Sequence, residues 1–270
     1  MAGNATENPG VITVIIAIAS HKGGVGKTTT CAALAFLLAK TKPVLLIDMD
    51  PQSNATSIFP PEVDGPGLAE LLAGEAKLAD CVRPSMLPDI SILPATSALG
   101  AVESDLARRD DAGLPAIMAA IRKAAKAAGG DVVIDTAPSL APLALAAMAT
   151  ATHVIVPAAT NSGFALDGLE RTLEACQEVR SIMRRPRIVP MILATLHAAR
   201  TASCRAILGT LEEQHGAALI PRTIPRGVAV EQAEIMRRPL PDVFPKNPAS
   251  KAYKSVLDYI ISHGGDARGN

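Results

Sequence analysis

The sequence predicts an α/β protein in which helices cover both faces of a single, mostly parallel, twisted sheet. Short apolar runs typical of buried strands alternate along the chain with longer segments typical of helices. Several of the apolar runs end in aspartate, glycine or proline, as strands do where they pass into loops. No long linker, repeat or low-complexity tract interrupts the 270 residues, so one doubly wound domain accounts for the chain.

We predict that this domain runs from residue 11 to residue 263, between flexible tails at 1–10 and 264–270. The first tail is polar and lacks the basic start of a signal peptide. No apolar run approaches the 18 residues of a membrane span. The four cysteines are far apart and form no C-x-x-C pair, so buried thiols in a reducing cytosol are expected.

A glycine-rich segment at residues 20–30 follows the first apolar run, at 11–19, and precedes a helical run that continues to residue 40. Strand, glycine turn and helix form the context that a phosphate-binding loop requires. Glycines in this loop let backbone N–H groups close around a polyphosphate, and the start of the helix adds its own N–H groups. Lys27 is expected to reach the β- and γ-phosphates, and the Thr28 hydroxyl to ligate Mg²⁺.

Carboxylates follow two further predicted strands. The run at 44–47 ends in Asp48 and Asp50, and the run at 132–134 ends in Asp135. The carboxyl ends of parallel strands form the ligand-binding edge of such sheets, and alternation sends Asp48 and Asp50 to the same side. Hydrophobic residues ending in aspartate are the Walker B pattern, so Asp135 is expected to hold Mg²⁺ through water.

The remaining elements are predicted from periodicity and turn residues. The predicted strands lie at 90–94, 153–157 and 187–196, with a strand end and loop at 220–226. The predicted helices lie at 67–72, 114–128, 165–183, 197–211, 228–236 and 249–263. In the last helix, five apolar residues share one face, namely Tyr253, Val256, Leu257, Ile260 and Ile261.

The net charge of zero hides an asymmetry between the two parts of the chain. Residues 1–169 carry 11 Lys/Arg and 16 Asp/Glu, whereas residues 170–270 carry 15 and 10. Most of the basic residues in the second part are arginines, which suit phosphate contacts. Arg184 and Arg185 end the helix predicted at 165–183, and stabilisation of that helix end explains them equally well.

The string K-G-G-V-G-K-T-T at 22–29 resembles the deviant Walker A motif of the ParA/MinD superfamily of dimeric P-loop ATPases. One departure from the common phosphate-loop pattern is His21, which stands at its first glycine position. The string D-x-D-P-Q-x-N at 48–54 looks like the second signature of the ParA family. Segments at 92–95, 164–169, 199–201, 224–226 and 231–233 are similar to those of Soj-type ParA proteins, so the resemblance spans nearly the whole chain.

The resemblance implies a cytoplasmic, nucleoid-associated ATPase that uses ATP and Mg²⁺ to partition chromosomes, plasmids or other cargo. ATP would hold a homodimer together as a sandwich that binds DNA without sequence preference, and a ParB-type activator would stimulate hydrolysis. Lys22 would cross to the partner's nucleotide, Asp50 would position the attacking water, and Asp48 would help to organise the metal site. The nucleotide contacts implied are Lys22, Gly23, Gly24, Val25, Gly26, Lys27, Thr28, Thr29 and Pro225. The implied DNA contacts are Arg200 and Arg226, with Arg184 and Arg185 as further candidates.

Three other functions use a related fold. A MinD-like membrane-cycling ATPase needs a basic amphipathic helix at its C-terminus, but the last predicted helix carries only Lys251 and Lys254 and no Trp or Phe. An iron–sulfur protein needs cysteines near the Walker B aspartate or in a C-x-x-C pair. A small-molecule kinase needs a second substrate pocket, for which the sequence gives no signal. Stable membrane association is therefore not expected, and the membrane ATPase remains the alternative.

Overall fold

The structure is a computed structural model that describes residues 14–108, 113–183 and 190–263. Seven strands in these ranges form one sheet in the order β3-β4-β2-β5-β1-β6-β7. Their bounds are β1 (Ile15–Ile18), β2 (Val44–Met49), β3 (Arg83–Pro84), β4 (Ile90–Leu93), β5 (Asp131–Thr136), β6 (His153–Ala159) and β7 (Pro190–Thr195). Every pairing is parallel except that of the two-residue edge strand β3 with β4. The predicted mostly parallel sheet is therefore confirmed.

Twelve helices of the described residues connect and cover the strands. They are α1 (Lys27–Leu38), α2 (Asn54–Ile58), α3 (Leu68–Ala73), α4 (Leu78–Cys81), α5 (Leu99–Ala107), α6 (Gly113–Ala128), α7 (Pro142–Thr150), α8 (Phe164–Ile182), α9 (Ala202–His215), α10 (Val228–Ile235), α11 (Leu240–Val243) and α12 (Pro248–His263). Residues of α1, α2 and α10 to α12 pack on one face of the sheet, and residues of α3 to α9 pack on the other.

The central strands are apolar along their whole length because both of their faces are buried. In β2, for example, Val44 and Leu46 join the core beneath α1, whereas Leu45 and Ile47 join the core on the opposite face. The alternation places the next even-numbered side chain, Asp48, on the α1 face of the sheet. The strand pattern therefore directs this carboxylate toward the helix that follows the glycine loop.

Several sequence predictions need correction. Helices α2, α4, α5, α7 and α11 and strand β3 were not predicted, because their segments are short or carry weak periodicity. Residues 218–224 form only isolated bridges and hydrogen bonds to β7, with Leu219 opposite Ile192, and no strand of their own. In α12, four of the five predicted core residues are buried, but Ile261 is 49% exposed because it points about 100° around the helix from the buried Ile260.

The structure also bears on the expectations for the cysteines and for membrane-spanning segments. All four cysteines are buried and none forms a disulfide. Among the helices of the described ranges, none is both long enough and apolar enough to cross a membrane. The predicted tails at 1–10 and 264–270 lie outside the described residues.

Candidate functional site

The glycine loop connects β1 to α1 at the carboxyl edge of the sheet. Gly24 and Gly26 have φ angles of 70° and 84°, a left-handed backbone that a residue with a Cβ atom adopts only under strain. Neither glycine has a heavy atom within 4 Å of its ideal Cβ position, so the backbone conformation is what favours glycine there. The loop thus places backbone N–H groups and the N-terminus of α1 around one concave site.

A cleft of about 600 Å³ opens at this loop. The residues that line it on the loop side are Gly23, Gly24, Gly26, Lys27, Thr28 and Thr29, and those that follow β2 include Asp50, Gln52 and Asn54. Pro225 and Arg226 line the opposite wall together with Glu231, Glu234 and Arg237 of the α10 region. The structure therefore brings the predicted phosphate loop, Asp50 and the predicted adenine-contacting Pro225 into one cavity, which is large enough for a nucleotide.

Lys27 is nearly buried at the floor of the cleft, with 7% of its surface exposed. Its Nζ donates a 2.9 Å hydrogen bond to the backbone carbonyl oxygen of Lys22. Burial lowers the pKa of Lys27, and the carboxylates of Asp135 and Asp50 act in the opposite direction. A buried ammonium beside the loop N–H groups is well placed to bind a phosphate, because hydrogen bonds between ionised partners are short and strong.

The Thr28 hydroxyl donates a 2.8 Å hydrogen bond to Oδ2 of Asp135, which links the Walker A segment to the end of β5. The other carboxylate oxygen of Asp135, Oδ1, is buried and has no hydrogen-bond partner among the described residues. Burial, with the neighbouring Asp48 as a second cause, raises the pKa of Asp135 well above its usual range. An unpartnered carboxylate oxygen beside a threonine hydroxyl fits Mg²⁺, which prefers oxygen ligands and completes its shell with water and phosphate.

Asp48 lies next to Asp135 in the register of β2 and β5. Its Oδ1 accepts the N–H of Asp50 at 3.0 Å, and its Oδ2 accepts both the N–H and the hydroxyl of Thr56 at 2.7 Å. Burial raises the pKa of Asp48 to about 6, against the effect of these hydrogen bonds. Since both oxygens are already engaged, Asp48 fixes the turn that carries Asp50 and joins it to the start of α2.

Asp50 is 6% exposed and lines the cleft. Its Oδ1 accepts the N–H of Gln52 at 2.9 Å, which fixes the orientation of the carboxylate. No group of three or more His, Cys, Asp or Glu side chains in the described ranges could hold a metal ion. A Mg²⁺ ion at this edge would need further oxygen ligands, such as Thr28 and phosphate oxygens, as is usual at nucleotide sites.

Two of the predicted nucleotide contacts, Val25 and Lys22, do not present their side chains to the cleft of their own protomer. The side chain of Val25 is buried against Ala159 and Leu196, and its carbonyl oxygen accepts the Thr195 hydroxyl at 2.8 Å, so only its N–H is left for a ligand. Lys22 precedes the loop and is not one of the residues that line the cleft.

Helices α10 and α12 make two hydrogen bonds beside the cleft that the sequence did not predict. Glu234 accepts the hydroxyl of Thr29 at 2.7 Å, and Tyr253 shares a 3.2 Å hydrogen bond with Thr30. These partners are 205 and 223 residues apart along the chain, so no local pattern could have paired them. The sequence marks Glu234 only as a charged residue on the exposed face of α10, and it does not predict the contact with Thr29.

The predicted DNA contacts Arg200 and Arg226 are both exposed and lie on neighbouring loops. The loops are joined because His197 N–H donates to Ile224 and Arg226 N–H donates to His197, each at 3.0 Å. Arg205 and Arg222 are exposed as well, although no motif in the sequence marks them as DNA contacts. Arg226 also lines the nucleotide cleft, whereas Arg184 and Arg185 lie outside the described residues.

Comparisons with known proteins agree with this arrangement. Residues 13–187 match the protein family described as AAA domain. The chain is 36% identical to the chromosome-partitioning ATPase Soj of Thermus thermophilus over 250 residues, 92% of this chain and 95% of that protein. It is 32% identical to the chromosome partitioning protein ParA of Caulobacter vibrioides over 263 residues, 93% and 95% of the two chains. A Mycobacterium smegmatis protein named cobyrinic acid a,c-diamide synthase, solved with a bound ATP analogue and magnesium, superposes with a TM-score of 0.78 at 27% identity, covering 93% of this chain and 96% of that one.

Proposed function

The chain belongs to the Soj/ParA family of chromosome-partitioning ATPases, and from that membership we propose that it moves cargo by an ATP-gated cycle of dimerisation and DNA binding. The observation that carries the proposal is the direct link between Thr28 and Asp135 at the floor of a nucleotide-sized cleft. A phosphate loop joined to a Walker B carboxylate is the arrangement that Mg·ATP hydrolysis needs.

In this cycle the loop N–H groups and Lys27 hold the phosphates of ATP, and Thr28 and Asp135 hold Mg²⁺. The metal neutralises charge on the β- and γ-phosphates when it is bound. Asp50, oriented by the N–H of Gln52 and held on the turn that Asp48 fixes, positions the attacking water. Pro225, on the opposite wall of the cleft, packs against adenine.

The ATP-bound protein forms a face-to-face homodimer in which Lys22 reaches the nucleotide of the other protomer. Support for this assignment comes from the position of Lys22, which directly precedes Gly23 yet does not line its own cleft. A lysine at the rim can offset phosphate charge across an interface, while Lys27 does so from within. A ParB-type activator then stimulates hydrolysis and returns the protein to the monomer.

DNA is bound through phosphate contacts from the arginine-rich second part of the chain. Arg200 and Arg226 project from loops that are hydrogen-bonded to each other, so the dimer would present two copies of this basic surface. Phosphate contacts carry no base information, which agrees with binding without sequence preference. The same binding would place the protein on the nucleoid.

The membrane alternative gains no support from the last helix. The apolar side chains of α12, among them Tyr253, Val256 and Ile260, are buried in the core that α1 shares. A helix whose apolar face is already covered has no such face to offer to lipid.

The oligomeric state tests the cycle most simply. Size-exclusion chromatography with light scattering should show a monomer with ADP and a dimer of Asp50→Ala protein with Mg·ATP, because that variant cannot hydrolyse the ATP that holds the dimer together. Asp258→Ala is a matched control, since Asp258 is an exposed aspartate on α12, outside the cleft. A monomeric Asp50→Ala protein in saturating Mg·ATP would contradict the proposed dimer.

A further inference from the structure

Helix α8 packs directly against the segment that carries Lys22. The backbone N–H of His21 donates a 3.0 Å hydrogen bond to the hydroxyl of Thr172, and that hydroxyl donates at 2.7 Å to the carbonyl oxygen of Gly168. Thr172 is fully buried, so water cannot replace the contact. One threonine hydroxyl therefore ties the loop backbone to the interior of the helix.

Gly168 makes this close approach possible. A Cβ atom at residue 168 would lie 2.9 Å from Cβ of Lys22, with the Lys22 backbone nitrogen 3.6 Å away. Glycine inside a helix is less favourable than alanine, so a structural reason for its presence is expected. The φ angle of Gly168 is not positive, which leaves the packing against Lys22 as that reason.

The contact continues from the segment of Lys22 into the nucleotide site. The carbonyl oxygen of Lys22 accepts the hydrogen bond from Nζ of Lys27. Hence α8 holds the backbone of residues 21 and 22, and that backbone in turn holds both lysines of the motif. Nothing in the arrangement requires a side chain of α8 to touch the nucleotide.

We propose that Thr172 and Gly168 are positioning residues that set the backbone from which Lys22 reaches the partner's nucleotide. The inference rests on the proposed ATP-dependent dimer and specifies which helix aligns it. When the contact with α8 is lost, the backbone of residues 21 and 22 is no longer fixed, and the Lys22 ammonium is presented to the other protomer less often. The N–H groups of residues 23–29 lie beyond this contact, so ADP binding in the protomer's own cleft is retained.

The test compares Thr172→Val, which removes the hydroxyl at nearly constant volume, with Thr172→Ser, which keeps it. Thr150→Val is the matched control, because Thr150 is also buried and makes the same hydroxyl contact four residues back, to Ala146, far from the loop. We expect Thr172→Val to lower kcat for ATP hydrolysis by about tenfold, as the loss of a buried hydrogen bond allows, with ADP affinity changed less than about twofold. Thr172→Ser should restore the rate, and Thr150→Val should leave it unchanged.

A second pair of variants keeps the inference testable if Thr172→Val does not fold. Gly168→Ala should weaken ATP-dependent dimerisation, whereas Gly209→Ala, in the interior of α9 with no atom within 4 Å of the new Cβ, should not. If Thr172→Val and Gly168→Ala hydrolyse ATP and dimerise like the wild type, the inference is wrong and the proposed function stands. If Thr172→Val loses ADP affinity and kcat equally, its role is structural and the inference is also wrong. An Asp50→Ala protein that stays monomeric in saturating Mg·ATP overturns the proposed dimer, and the role of α8 with it.

Discussion

The hydroxyl of Thr28 lies 2.8 Å from Oδ2 of Asp135, although 107 residues separate them along the chain. The two meet because β1 and β5 are parallel neighbours, with Ile18 opposite Asp135, and the glycine loop leaves β1 at this point. Both groups are oxygen ligands of the kind that Mg²⁺ prefers. The order of the strands therefore brings two oxygen ligands from distant motifs together, at the place where we propose that Mg²⁺ binds.

Lys27→Ala should reduce affinity for Mg·ATP by about a hundredfold or more, since a nearly buried charge-assisted contact to phosphate is lost. Titration with a fluorescent ATP analogue measures the change. Lys40→Ala is the control, because Lys40 is an exposed lysine just beyond the end of the same helix. Unchanged ATP affinity in Lys27→Ala would show that the loop does not bind the phosphates.

Asp135→Asn should stabilise the nucleotide-free fold while it impairs the Mg²⁺ site. Burial raises the pKa of Asp135, so the ionised carboxylate destabilises the folded state at pH 7 and its replacement relieves that effect. The melting temperature should rise at pH 7, and the advantage should shrink as the pH falls, because the wild-type carboxyl then becomes protonated.

Thermal unfolding of wild-type and Asp135→Asn protein between pH 5 and pH 8 measures this difference, with the exposed Asp258→Asn as the control. Mg²⁺-dependent hydrolysis should be lost in parallel. A variant that is less stable than the wild type at pH 7 would show that the Thr28 hydrogen bond outweighs the burial of the charge.

Glu234→Gln should increase affinity for Mg·ATP by about threefold at low salt. The Glu234 carboxylate holds the Thr29 hydroxyl at the mouth of the cleft and repels an incoming polyphosphate, whereas glutamine keeps the size without the charge. The gain should diminish as salt rises. Glu213→Gln, on the exposed face of α9, is the control, and weaker binding of ATP by Glu234→Gln would mean that this carboxylate accepts a nucleotide hydroxyl instead.

Arg200→Ala should weaken DNA binding to a similar degree on unrelated sequences, because a phosphate contact carries no base information. The slope of log affinity against log salt should fall in magnitude by about one unit for each protomer contact removed. Arg226→Ala should weaken DNA binding in the same way. Because Arg226 also lines the cleft, the ATP affinity of this variant must be measured first. Arg122→Ala, exposed on α6, should leave DNA affinity unchanged.

The sequence predicts those parts of the site whose signals are local. Gly26, Lys27 and Thr28 sit at fixed spacing between a strand and a helix, and an aspartate at a strand end marks Asp135. Contacts such as Glu234 with Thr29 depend on how α10 docks beside α1, which no spacing encodes. The contact between His21 and Thr172 could not be predicted either, since the sequence pattern of a buried threonine within a helix is that of an ordinary core residue.

The affinity of the protein for two unrelated DNA duplexes, measured with ATP and with ADP at several salt concentrations, tests the central claim most directly. One protomer carries an excess of only about five positive charges in its second part, and dimerisation doubles the phosphates that can be neutralised. We expect equal affinity for both duplexes, binding with ATP but not with ADP, and a steep loss of affinity between roughly 50 and 200 mM salt. Binding that is the same with either nucleotide, or binding of anionic liposomes in place of DNA, would contradict it.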